Sequence, residues 1–270
     1  MNPPWIPRDG QTTCCCSGLN LTSAAGQIEW RKVKMRLRHF LLAMCLVPLV
    51  CGCHSTPAPA PPKVTRASGE ILSEPPTQPD PSKQYLFYLH GGIVEGSDGR
   101  PVSRQFGPYE YRGILQKFAH DGFTVVSEIR PYGADPAEYG RKVAAWVARL
   151  LKAGVPSRNM TVVGASQGGV IAAHVSAILE EPELKFVILA GLFGDVDSEG
   201  RLKLHGRVFS IYDESDTHTI SPEMYFKQSP ALTEGKSLVT KTGLGHGLLY
   251  QPYSAWYEPA IKWINERSKH

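Results

Sequence analysis

After residue 53 the chain has no cysteine: all six (Cys14, Cys15, Cys16, Cys45, Cys51 and Cys53) lie at or before that point. This excludes a disulfide framework and a Cys-based metal site from everything downstream, so that part must be held together by a packed core. Its length allows one, because a chain of about 200 residues buries roughly 70% of the surface its unfolded form exposes. Net charge is missing there too. The first 53 residues carry six Lys/Arg and two Asp/Glu, which, taken from totals of 29 and 25, leaves 23 of each sign. The pI of 8.7 therefore reports the N-terminus and gives no reason to expect a nucleic-acid partner. The chain has no internal repeat and no segment long enough for a large lid. The apolar run Phe40 to Val50 is about eleven residues, short of the roughly 17–25 that span a bilayer.

That short run has a different use. Arg31-Lys32-Val33-Lys34-Met35-Arg36-Leu37-Arg38-His39 is basic and precedes it, and Val50-Cys51-Gly52-Cys53 follows. A basic segment, a short apolar segment and small residues describe a secretory signal. Gly52 before Cys53 resembles a bacterial lipobox, which implies lipidation of Cys53 and export to the cell envelope, on the periplasmic side or at the outer membrane. Residues 1–34 are then an upstream extension. Either translation starts at Met35 and they are not native, or they form a cytosolic segment. Residues 54–82 are rich in Pro, Ala, Ser and Thr and read as a semi-extended tether, with Val64 to Leu72 available as an edge strand. Residues 83–270 are left as the folded domain.

From Gln84 strands and helices alternate, which predicts a parallel sheet covered on both faces. The strands are expected at Tyr85–Leu89, Thr124–Ile129, Met160–Val163, Lys185–Leu189, Arg207–Tyr212 and Ser237–Thr240. Helices are expected at Tyr109–His120, Pro136–Ala153, Gln167–Leu179, Pro222–Lys227 and Ala255–Arg267. Asp135 before Pro136 reads as an N-cap with proline in the first helical position.

The chemistry is carried by Gly164-Ala165-Ser166-Gln167-Gly168. It falls between the β-branched run Met160-Thr161-Val162-Val163 and the apolar helix start Val170-Ile171-Ala172-Ala173. Strand, Gly-x-Ser-x-Gly turn and helix in that order form a nucleophile elbow, where small residues allow a tight turn that thrusts the serine out of the sheet. His90-Gly91-Gly92 follows the buried-type strand Tyr85–Leu89, and a glycine loop in that place supplies an oxyanion-hole N–H. Gly245-His246-Gly247 lies in a later loop. Between serine and histidine, the strand ending at Tyr212 opens into Asp213-Glu214-Ser215-Asp216. The chain order is therefore Ser, Asp, His, as α/β-hydrolases require.

With these motifs the stretch from Gln84 onward resembles a small lid-less α/β-hydrolase. Gly164-Ala165-Ser166-Gln167-Gly168-Gly169 is similar to the elbow of the phospholipase/carboxylesterase and acyl-protein thioesterase group. The resemblance implies a three-layer αβα fold with a mostly parallel central sheet. It also implies a small-molecule ester or acyl substrate, no cofactor and no metal. Ser166 would be the nucleophile and His246 the general base. Asp216 fits the family pattern, a carboxylate a few residues past the strand and ahead of Ile220-Ser221-Pro222; Asp213 is the alternative acid. The N–H of Gln167 and that of Gly92 or Ile93 would form the oxyanion hole, with His90 and Gly91 shaping its loop.

The other histidines compete poorly: His120 and His174 fall on helices, His205 precedes a strand, and His218 and His270 read as exposed. Asp195 and Asp197 read as a solvated loop without the ligand spacing of an EF-hand. Tyr109, Tyr111, Tyr250, Tyr253, Trp256 and Tyr257 either pack the last helix or wall a substrate pocket. Two other readings use the same residues: a fold kept for binding with catalysis lost, and a peptidase or amidase.

Overall fold

A computed structural model describes residues 68–193 and 202–266. The elements run β1 (Ile71–Leu72), β2 (Tyr85–Leu89), β3 (Val102–Ser103), β4 (Gly107–Pro108), α1 (Tyr111–His120), β5 (Thr124–Val126), α2 (Pro136–Lys152), β6 (Met160–Ala165), α3 (Gln167–Leu179), β7 (Lys185–Leu189), β8 (Gly206–Asp213), α4 (Glu223–Lys227), β9 (Leu232–Thr240) and α5 (Ser254–Asn265). Seven strands form one sheet in the order β1-β5-β2-β6-β7-β8-β9, and every neighbouring pair is parallel. The two short strands β3 and β4 pair separately.

Alternate residues of each strand face opposite layers. Leu86, Tyr88, Val163, Val187 and Phe209 pack with α1 and α5, around Phe118, Trp256 and Trp263. Tyr85, Phe87, Val162, Phe186 and Ile188 pack with α2 and α3 on the other face. The continuous burial of β2, β6 and β7 is what a parallel strand covered on both faces requires, and it explains their unbroken apolar sequences. Asp135 caps α2 by accepting the N–H of Glu138 at 2.8 Å, with Pro136 as the first helical residue. Among the described residues no helix is long and apolar enough to cross a membrane.

Three expectations are corrected. The folded domain begins before residue 83. The edge strand offered within Val64 to Leu72 forms at Ile71–Leu72, which pairs with Val125–Val126; beyond it Arg149 donates to the carbonyl of Pro75, and Asn159 donates to that of Pro81. The last part of the Pro-rich stretch is therefore packed, as irregular chain after β1. The strand expected to reach Ile129 ends at Val126, because the chain turns there to bring the Arg130 N–H onto His90. The last strand starts at Leu232, not Ser237. Its residues are mostly exposed or half-buried, so its pairing comes from the backbone of β8, without an apolar signal. Residues 1–67, with Met35, Cys53 and most of the tether, and Asp195, Asp197 and His270 lie outside the described residues.

Candidate active site

All seven parallel strands end on one edge, and the loops after β2, β6, β8 and β9 bring the candidate residues together there, as expected for open α/β sheets. Ser166 follows β6, the central strand, and takes φ 52°, ψ −122°. A non-glycine residue at positive φ is strained by about 1–3 kcal/mol and must be held there by its surroundings. The Ser166 N–H donates to Leu189 at 2.8 Å, and the Ser166 carbonyl accepts from Gly169 at 2.7 Å. A Cβ on Gly164 would lie 2.1 Å from the Gly168 oxygen, and one on Gly168 would lie 1.9 Å from the Leu89 oxygen. Glycine there is a requirement of space.

The structure brings Ser166, His246 and Asp216 together. Ser166 Oγ lies 2.9 Å from His246 Nε2, and His246 Nδ1 lies 2.8 Å from Asp216 Oδ2. An ionised carboxylate only accepts, so Nδ1 of a neutral ring carries the proton and Nε2 is left to accept from the serine hydroxyl. Asp216 also accepts from the His218 N–H at 3.0 Å and the Thr219 hydroxyl at 3.0 Å. Burial would raise its pKa, but the bonds from His246, His218 and Thr219 outweigh that and hold it at about 2. Asp216 is thus an anion beside a histidine at neutral pH.

Asp213 has other partners. One of its oxygens accepts from the N–H and hydroxyl of Ser215. The other accepts from the Thr240 hydroxyl and from the N–H and hydroxyl of Thr242. Burial again pushes upward, and these donors win, keeping the carboxyl far below the ordinary range. Asp213 ties the end of β8 to the loop after β9, the loop that carries His246.

The loop expected to form the oxyanion hole is held from behind. Gly92 and Ile93 open a 3-10 turn, and Gln167 opens α3. The N–H groups of these first-turn residues have no partner within their own helices. His90 is fully buried. Its Nε2 accepts the Arg130 N–H at 3.0 Å, which leaves Nδ1 to donate to the Gly91 carbonyl at 2.8 Å. Burial and the neighbouring Arg130 charge hold its pKa at about 3, so the ring stays neutral. Arg130 donates to the His90 carbonyl at 2.6 Å and pairs with buried Glu95 at 3.2 Å. The Gly91 N–H reaches Tyr109 Oη at 3.4 Å, and that hydroxyl bonds Tyr88 at 2.7 Å.

Of the aromatics singled out in the sequence, Tyr109, Tyr111, Tyr250, Trp256 and Tyr257 are buried in the core. Tyr253 lines a cleft of about 490 Å³ beside His246, with Phe106, His218 and Leu244. Phe106 and Phe193 each stand with ring centroids 6.4 Å from that of His246. Sequence reasoning missed Phe106, Phe193, Arg130 and Glu95, which sit in loops without periodicity. It also set His218 aside as exposed. Its side chain is 70% exposed, yet it lies beside Asp216; the one hint was its position two residues past that carboxylate.

Sheet order, elbow and the loops that close on it define an α/β-hydrolase fold. No protein-family model matches the chain, and no curated protein does. Among solved structures, an esterase of Pyrococcus furiosus is 13% identical over 68% of this chain and 82% of its own, with a TM-score of 0.49. SOBER1 of Arabidopsis thaliana is 13% identical over 68% and 98%, TM-score 0.46, and a lipase-esterase related protein of Clostridium acetobutylicum is 15% identical over 68% and 96%, TM-score 0.46. These are likenesses of chain trace and carry nothing about substrate.

Proposed function

We propose that this protein is a serine hydrolase of carboxylic esters or thioesters, held to the bacterial cell envelope by lipid on Cys53. The observation that carries the enzymatic half is the unbroken hydrogen-bond chain from Ser166 Oγ through His246 to Asp216. Ser166 attacks the carbonyl carbon while His246 takes its proton. The imidazolium formed is stabilised by Asp216 and then protonates the leaving alcohol or thiol. Water, deprotonated by the same histidine, releases the acid from the acyl-enzyme. The N–H of Gln167 and that of Gly92 or Ile93 stabilise the oxyanion, each worth about 10²–10³ in rate. The lipid anchor rests on the basic, apolar and Gly52-Cys53 sequence alone.

Ser166→Ala and His246→Ala each reduce ester hydrolysis to a similar background, and the double variant is no worse, because residues acting as one unit do not add. A fluorophosphonate probe labels the wild type and not Ser166→Ala. Full activity in Ser166→Ala excludes the serine mechanism. Well-folded wild type that the probe never labels excludes catalysis.

A further inference from the structure

The His218 ring has no part in the proposed hydrolysis. Its backbone N–H bonds Asp216, but its exposed ring stands at the mouth of the cleft, 5.6 Å from the His246 ring between centroids. Its Nδ1 is 3.5 Å from Asp216 Oδ1. One nitrogen of each imidazole and one oxygen of Asp216 all lie within 4.8 Å of one another. We propose that Asp216, His218 and His246 form a binding site for a zinc-class divalent transition-metal ion, and that this ion turns the hydrolase off. The inhibitory half rests on the hydrolase reading, and the binding half does not.

Two imidazoles and one carboxylate are a donor set that suits zinc, and three protein ligands leave a fourth tetrahedral position for water. Metal–ligand bonds of about 2.0–2.2 Å put tetrahedral ligand atoms roughly 3.3–3.5 Å apart. The His218–Asp216 pair already stands at that separation. His246 Nδ1 meets the other oxygen of Asp216 at 2.8 Å, so that pair draws apart as the ion enters, and the remaining closure falls to the solvent-exposed His218 ring. Magnesium and calcium prefer six or more oxygens and are poorly served here.

The exchange balances simply. The ion accepts a lone pair from each imidazole and from the carboxylate. Where the His246 donor is Nδ1, its proton leaves to solvent, and an Asp216–metal–His246 link replaces the hydrogen bond. No electron is transferred. His246 is then fixed to the ion and no longer oriented by Asp216 as the serine's base.

The test uses the full chain carrying Ser166→Ala, with its cysteines alkylated so that thiols do not bind the probe metal. Zn²⁺ is titrated against a chromogenic chelator. The expected result is a low-micromolar site whose Kd rises at least about tenfold when His218→Ala is added, and which a large excess of Mg²⁺ does not displace. In parallel, zinc slows ester hydrolysis by the wild type and EDTA restores it. His218→Ala loses this sensitivity, each protein being compared with its own zinc-free rate. Zinc binding that is absent, or unchanged by His218→Ala, overturns the site. Zinc that binds there without slowing hydrolysis overturns the inhibition. Wild type that hydrolyses no ester defeats the hydrolase reading, while the titration still decides the site.

Discussion

Ser166 is strained by its place, and the strain belongs to any residue with a Cβ. Alanine there keeps the unfavourable φ of 52°, whereas glycine adopts it freely. Ser166→Gly is therefore expected to be more stable than Ser166→Ala by about 1 kcal/mol in urea unfolding; equal stabilities would mean that the backbone relaxes around the elbow. The two aspartates divide into different tasks. Asp216→Asn places an amide opposite His246 Nδ1 and favours the wrong tautomer, so turnover is expected to fall by about 10⁴-fold, the size of that substitution in chymotrypsin-type triads. Asp213→Asn is expected to reduce turnover far less and to cost about 2 kcal/mol or more of stability at neutral pH, since Ser215, Thr240 and Thr242 lose a charged acceptor. Its sign with pH follows from the lowered pKa. The stabilisation is complete above the unfolded carboxylate value near 4 and is lost as pH falls below it toward the folded value. Unfolding at pH 7 and pH 3 should therefore show the variant's deficit shrinking in acid. A reversed division, with turnover lost in Asp213→Asn, makes Asp213 the triad acid.

At the scale of elements, the loop after β2, proposed to carry the oxyanion hole, is fixed by the segment after β5. Arg130 donates to the His90 backbone and ring and is itself neutralised by Glu95, whose second oxygen accepts the Gly133 N–H. Breaking one partner of a buried pair leaves a charge uncompensated, typically 3–5 kcal/mol. Glu95→Gln keeps an acceptor, so a loss near 3 kcal/mol is expected. Its kinetic signature on a short aryl ester is a lower kcat with KM little changed, because the loop would misplace N–H groups that matter most in the transition state. Unchanged kcat would separate the clip from the oxyanion hole.

At the scale of the whole molecule, parallel strands deliver their loops to one edge, so residues far apart in the chain meet without any long-range motif. Ser166 and His246 are 80 positions apart and hydrogen-bonded. The proposed anchor is tested at this scale as well. Mass spectrometry of membrane-extracted protein is expected to find lipidated Cys53 as the first residue; an intact Met1, or a soluble cytosolic protein, defeats it.

The sequence by itself determined the αβα alternation, because strands covered on both faces need unbroken apolar runs such as Tyr85–Leu89 and Lys185–Leu189. It determined the elbow as well, since only small residues fit where a Cβ on Gly168 would meet the Leu89 oxygen. The residues by themselves left Asp213 and Asp216 both open as the acid, and only the family resemblance favoured Asp216. They lie three residues apart at the end of one strand, and only the path of the loop after β9 decides that His246 meets Asp216 while Thr240 and Thr242 meet Asp213. The Arg130–Glu95 clip, the Phe106 and Phe193 flanks and the place of His218 were likewise hidden, because they sit in aperiodic loops whose meaning is set by what lies across the sheet edge. Local periodicity reports which face of an element is buried; which loop touches which is fixed only when the strands are laid side by side.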